Sequence, residues 1–170
     1  SDWGGCEDTR RSTTGYVTIM NGGPVSWRVR RQQVASVSSA EAEFYAMVEC
    51  IQEVCFLREL LEELGFPQPA RLPGRGGVTA GGSTMKNRGN VVYEDNAGCR
   101  AISQNDVFHQ RTKHISIRLA FVLDYVEEGR VCVSPVDTAN QVADVLTKPV
   151  SRVVQDKLRS KLMGTWFLGP

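Results

Sequence analysis

The apolar positions change period along the chain, and each change marks an element. Residues 15–21 (GYVTIMN) and 24–30 (PVSWRVR) alternate between apolar and polar side chains and read as two strands. Asn21-Gly22-Gly23 between them predicts a hairpin turn. Gln33–Val37 reads as a third extended stretch. The period then lengthens. Phe44, Met47, Ile51, Val54, Leu57, Leu61 and Leu64 fall at helical spacing, the stripe of one long helix from about Ser39 to Leu64. Ser38 followed by Glu41 is a capping-box pattern at its start. Gly65 ends it and Pro67 prevents a restart.

Residues 67–90 hold many glycines and no apolar period, which predicts a flexible loop. Its Arg71, Arg75, Lys86 and Arg88 read first as a solvated linker and second as nucleic-acid contacts. Val91–Glu94 predicts a short strand, Ala97–Ser103 a short helix, and Thr112 to Glu128 a longer helix ended by Gly129. Arg130–Ser134 reads as another strand. Thr138 with Gln141 predicts a capped helix over Ala139–Thr147, broken by Pro149. A last amphipathic helix runs from about Ser151 to Met163. Strands, then helix, strand, helix, strand and helix imply an α/β sandwich with a mixed sheet.

A length of 170 residues suits one domain with its own core. No apolar run is long enough to span a bilayer. The five cysteines are odd in number and irregularly spaced, which argues for a reducing, intracellular compartment and against a disulfide scaffold. Zinc is disfavoured too: no CxxC pair exists, and Cys50 and Cys55 would point in different directions on a helix, leaving His109 and His114 without partners. Net charge is only +1, but basic residues cluster at Arg10–Arg11, Arg28–Arg30–Arg31 and Arg111–Lys113–Arg118. Singly each cluster reads as a solvated surface. Together, beside an acidic site, they favour a polyanion ligand.

Four acidic residues in separate local contexts carry the candidate chemistry: Asp2, Glu43, Asp95 and Asp144. If they converge, only divalent cations would keep them together, which is the layout of a two-metal phosphodiesterase. Helix geometry separates Glu43 from Glu41, because two residues apart means nearly opposite faces. Glu43 leads into the apolar stripe and Glu41 into a mixed face with a role in the cap. Asp95 follows a strand directly and serves either as a ligand or as an Asx turn or cap for the next helix. Asp144 is placed mid-helix, six residues after Thr138, where aspartate has poor propensity. Its bland reading is an exposed aspartate near Lys148, and that of Asp2 is a charged terminus.

Taken together, SDWGGCEDTRRSTTGY, PVSWRVRRQQVASVSSAEAEFYA, DNAGCRAI, FHQRTKHISIR and ADVLTKP resemble, in order, the ribonuclease H domain of copia-type LTR retrotransposons. The resemblance implies a ribonuclease H-like α/β fold, with a mixed five-stranded sheet flanked by helices. It implies hydrolysis of the RNA strand of RNA–DNA hybrids with two Mg²⁺ ions, or Mn²⁺ in their place. The ligands would be Glu43, Asp95 and Asp144, with Asp2 as a further candidate. Arg28, Arg31, Lys113, His114 and Arg118 are the residues picked for phosphate and 2′-hydroxyl contacts.

One segment departs from the family. Its pattern is Asp-x-Asp-Trp-x-Gly-Cys with the first aspartate as ligand, and counting back from Trp3 puts Asp2 at the second. The ligand and the central first strand would then precede Ser1. That leaves two sheet edges for an upstream reverse transcriptase segment, a strand-donating partner or a second copy. The expected setting is the cytoplasm, in a virus-like particle with access to the nucleus, and not a membrane. Two other readings stay open: a catalytically inactive or domesticated module that binds nucleic acid or protein, and an integrase or transposase core.

Overall fold

In the computed structural model the chain is described at residues 1–6, 8–68, 89–104 and 113–163, with only the backbone at 113–116. The first two elements are β1 (Thr13–Met20) and β2 (Gly23–Arg31), paired antiparallel. Asn21 and Gly22 join them with φ of 50° and 81°, the two-residue turn whose twist matches a hairpin. Side chains of β2 alternate. Ser26 and Arg30 turn inward, Ser26 donating to Glu53 at 2.6 Å and Arg30 to Glu49 at 2.9 Å.

The stretch Gln33–Val37 is not a strand. Buried Gln32 instead donates to the Thr14 hydroxyl and the Ala42 carbonyl, and Ser36 donates to Gln32. These side-chain bonds take the place of a ladder. The long helix α1 follows (Ser39–Glu63), capped as the sequence predicts. The Ser38 hydroxyl accepts from the Glu41 amide at 3.1 Å, and the Glu41 carboxylate accepts from the Val37 amide at 2.8 Å. Glu41 does not lie on a mixed face: it is buried, and Tyr45 donates to it at 3.0 Å. The apolar stripe is buried from Phe44 to Val54, then fades to an exposed Leu64.

The second strand pair is β3 (Asn90–Glu94) with β4 (Val131–Pro135), parallel. The crossover between them carries α2 (Ala97–Gln104) and α3 (Lys113–Glu127), as parallel pairing requires. One core joins these elements: Phe44, Met47 and Ile51 of α1 meet Val92 and Val133 of the strands, Ile102 of α2, and Leu119 and Val122 of α3. Helix α1 therefore backs both strand pairs.

After β4 the chain crosses the end of β3. Gln141 donates to the Tyr93 carbonyl and Thr138 to Asp95. The predicted helix over 139–147 is not continuous. Thr138 gives its hydroxyl to Asp95 rather than to a cap, so one 3-10 turn forms (Thr138–Asn140) and α4 starts only at Asp144 (Asp144–Thr147). Helix α4 lands on β1 at Gly15, where a Cβ would meet the Thr147 methyl at 2.3 Å. Helix α5 (Arg152–Leu162) follows, anchored by buried Leu158 and by Lys161 bonding to Asn140.

The expected five-stranded sheet is not assembled: among the described residues the strands form two separate two-stranded pairs. Outside the named strands one isolated bridge, Asp2 to Thr13, lies on the edge of β1 away from β2. Most of the 67–90 insertion lies outside the described residues.

Candidate active site

Glu43 sits in the second turn of α1 and is buried, although it is charged. A carboxylate removed from water needs cationic or hydrogen-bonding partners. It has two cationic neighbours: the amino group of Ser1, which donates to Oε2, and the Lys148 ammonium, 3.8 Å from Oε1. The helix face that carries Glu43 is the face the apolar stripe predicted.

Asp144 comes to the same place from the other end of the chain. It is not mid-helix but the first residue of α4, where a carboxylate suits the positive end of the helix. It is also not exposed: only 5 % of its surface meets solvent. Its Oδ1 is 2.8 Å from Lys148 Nζ. The Gly15 contact sets this position, since α4 could not approach β1 so closely over a side chain.

Asp95 lies just past β3 and is partly exposed. It is not the cap of α2, because neighbouring Asn96 takes that role and accepts from the Cys99 amide at 3.0 Å. Asp95 instead accepts from Thr138 at 2.8 Å, and its charge reaches Lys148. Burial opposes the Lys148 charge, but the hydrogen bond it donates to Asp144 and the fields of Asp144, Glu43 and Asp95 outweigh it, and its pKa is raised. Glu43 of α1 and Asp144 of α4 thus lie 3.8 Å and 2.8 Å from one ammonium, and Asp95 at the end of β3 adds its field from farther off.

A fourth acid was missed from sequence. Glu94 is 5 % exposed, and burial, then the charge of Glu43, raises its pKa to about 7. Strand alternation was the available signal: Glu94 follows Val92 on the inward face of β3.

The other predicted residues are not brought into this group. The Asp2 backbone pairs with Thr13, and its carboxylate lies over Gly5, where a Cβ would meet it at 2.0 Å. Arg28 approaches Glu49 at 3.9 Å, beside the Arg30–Glu49 pair. Arg118 stacks over the Tyr45 ring at 4.5 Å, a cation–π contact. Arg31 ends β2 and is exposed. Lys113 and His114 open α3, and their side chains lie outside the described residues, as do those of His109 and Arg111. A separate cavity of about 210 Å³, lined by Cys55, Arg58, Glu62, Tyr125 and Arg130, belongs to the far end of α1. It is roughly 20 Å along the helix from Glu43.

Carboxylate oxygens are the hard donors that magnesium takes. Their spacing here is not that of a metal shell: among the described residues no three Asp, Glu, His or Cys side chains converge closely enough to hold an ion. Glu43 and Asp144 are spaced by a lysine.

Comparison with known proteins finds relatives over most of the chain. The chain is 35 % identical over 162 residues to the retrovirus-related Pol polyprotein from transposon RE1 of Arabidopsis thaliana. It is 34 % identical over 162 residues to that from transposon RE2 of the same plant, and 32 % identical over 152 residues to that from transposon TNT 1-94 of Nicotiana tabacum. The chain is homologous to a segment of retrotransposon Pol polyproteins. The matches cover 95 %, 95 % and 89 % of the chain and 10 % of each polyprotein, so it spans about a tenth of these relatives. No family model matches it, and no solved structure does. Among the described residues no helix is long and apolar enough to cross a membrane.

Proposed function

We propose that this chain is the ribonuclease H domain of a retrotransposon Pol polyprotein and hydrolyses the RNA strand of RNA–DNA hybrids. The observation that carries this reading is the meeting of Glu43 and Asp144, about a hundred positions apart in the sequence, on one ammonium that also feels the charge of Asp95. Two buried carboxylates from separate helices, with a third partly exposed at the end of β3, are costly to a fold and have a use where cations and phosphates bind. Glu43, Asp95 and Asp144 would hold two magnesium ions, or manganese. When bound, such ions supply an activated water and stabilise the leaving oxygen. The residues of the chain fix the donors: α1 holds Glu43, the α4–Gly15 contact holds Asp144, and the Thr138 hydrogen bond orients Asp95. Phosphates of the hybrid would meet the exposed end of β2 through Arg28 and Arg31, with Lys113, His114 and Arg118 on α3.

The partner of the fold on this reading is a further strand. It would lie between the open edge of β1 and β3, supplied by a neighbouring reverse transcriptase segment, another chain or a second copy.

The test is cleavage of an end-labelled hybrid with Mg²⁺, with the domain carried in a longer piece of polyprotein. Glu43→Gln and Asp144→Asn should each lower the rate by about a hundredfold or more, since each removes a charged ligand. Cleavage unaffected by both substitutions would remove the reading. A second reading, a module that binds hybrids without cutting them, is favoured by the position of Asp2 outside the group and by the lack of a convergent donor trio among the described residues. Tight hybrid binding with no turnover in the longer protein would select it.

A further inference from the structure

Lys148 is a cation built into the group where the proposed function puts two others. Its ammonium is 2.8 Å from Asp144 Oδ1 and 3.8 Å from Glu43 Oε1. These carboxylates come from elements about a hundred residues apart in sequence, and both are buried. Glu43 also accepts from the Ser1 amino group, but Lys148 is the cation that bridges the two carboxylates, and without it they would repel more strongly in a poorly screened setting.

The backbone around Lys148 suits a side chain that can leave. The residue ends α4: its amide bonds back to the Asp144 carbonyl at 2.9 Å and its φ and ψ are −122° and 145°. Pro149 follows, so the backbone is fixed on that side. The four-carbon stem folds back over Asp144, and a third of the side chain is exposed to solvent. Rotation about the stem moves the ammonium into water with no change in α4. Asp144 and Glu43, held by their helices, stay in place.

We propose that Lys148 is a resident counter-cation: it holds the Glu43 and Asp144 carboxylates together in the metal-free domain and gives them up when divalent cations bind. The inference rests on the nuclease reading above. It explains why the carboxylates are spaced by a lysine and not as a metal shell. An ammonium and a divalent ion repel each other and compete for the same carboxylates, so each weakens the binding of the other. Lys148 therefore sets the metal affinity of the site as a positioning residue, and need not touch the substrate.

This assignment makes two effects of one substitution run in opposite directions. Lys148→Met should lower the melting temperature in chelator, because Glu43 and Asp144 lose a partner. The same substitution should tighten Mn²⁺ binding by about tenfold or more, because a competing unit charge is gone. Lys148→Arg, which keeps the charge, should bind Mn²⁺ like the parent. Free Mn²⁺ measured by electron paramagnetic resonance during titration of the domain gives the affinities, with circular dichroism as the fold control. If Lys148→Met does not fold in chelator, Mn²⁺ should restore its helical signal, and Lys148→Gln provides a milder variant for the same titration. Unchanged or weaker Mn²⁺ binding in both neutral variants overturns the assignment. So does a loss of hybrid binding in chelator without a gain in Mn²⁺ affinity, which would make Lys148 a phosphate contact. Hybrid cleavage assayed in parallel separates the two readings. Cleavage by the parent with unchanged Mn²⁺ affinity in the variants removes only the counter-cation. Tighter Mn²⁺ binding with no cleavage removes only the nuclease.

Discussion

Glu94 shows what one residue does when it is enclosed with like charge. Its ordinary pKa of 4.5 is raised to about 7 by burial and by Glu43. The folded state therefore holds this proton more tightly than the unfolded chain does. The resulting stability is fully present below pH 4.5, declines between pH 4.5 and about 7, and is absent above. The loss amounts to about 3 kcal/mol at most. Glu94→Gln keeps the shape and the acceptor for the Asn96 amide at 2.9 Å and cannot ionise. Denaturant melts in chelator should show this variant matching the parent at pH 4 and exceeding it at pH 8. Parallel stability curves from pH 4 to pH 8 would show that Glu94 is not the titrating group. Residue-level chemistry was only partly legible in the sequence. Glu43 could be read because an acid heading an apolar stripe requires a partner. Glu94 could not be weighed, because its shift comes from burial in the folded core and from Glu43, which is distant along the chain. Lys148 was visible as a neighbour of Asp144, but its reach to Glu43 depends on tertiary packing.

Elements carry these residues to one place, and α4 does so by its close approach to β1 at Gly15. Its last residue, Thr147, lies where a side chain on Gly15 would stand. Gly15→Ala should push α4 off β1 and cost about 1–3 kcal/mol of stability, the usual range for overpacking. It should also move Asp144 and Lys148 away from Glu43, so Mn²⁺ affinity and cleavage should fall together. An alanine variant with parent-like melting and metal binding would mean that α4 is seated by α5 instead. The long periodic elements were legible: the β1–β2 turn, the start of α1 and the crossover through α2 and α3 all follow from local pattern. Two expectations failed for one shared reason. Gln33–Val37 and the 139–147 helix both have plausible local patterns, yet in each a polar side chain finds a distant partner. Gln32 bonds to Thr14 and Ala42, and Thr138 bonds to Asp95. Bonds across tens of residues leave no trace in a local window.

At the scale of the molecule, the strands form two pairs backed by one helix, and the open edge of β1 is defined by its hydrogen bonds. Thr13 exchanges both backbone bonds with Asp2 at 3.0 Å, whereas the Ser12 carbonyl bonds to Gln32 on the β2 side. Antiparallel strands alternate this direction residue by residue. Gly15 and Val17 therefore aim their amides away from β2, while Thr14 and Tyr16 aim theirs into the hairpin. Among the described residues no strand pairs with that edge beyond Thr13. Unpaired edges of this kind recruit strands. Amide hydrogen exchange on the 170-residue chain should be fast at Gly15 and Val17 and slow at Thr14 and Tyr16. In a longer piece of polyprotein, or in a complex that supplies the strand, the Gly15 and Val17 amides should slow by about a hundredfold or more, which is the protection a cooperative sheet confers. Thr14 and Tyr16 should change far less. Metal affinity should rise in the same sample, because a strand there would run beside Glu43 and Asp144 and brace the wall that carries them. Protection equal at all four amides in the shorter chain would mean that the edge is already covered, and the two strand pairs would then be the finished sheet.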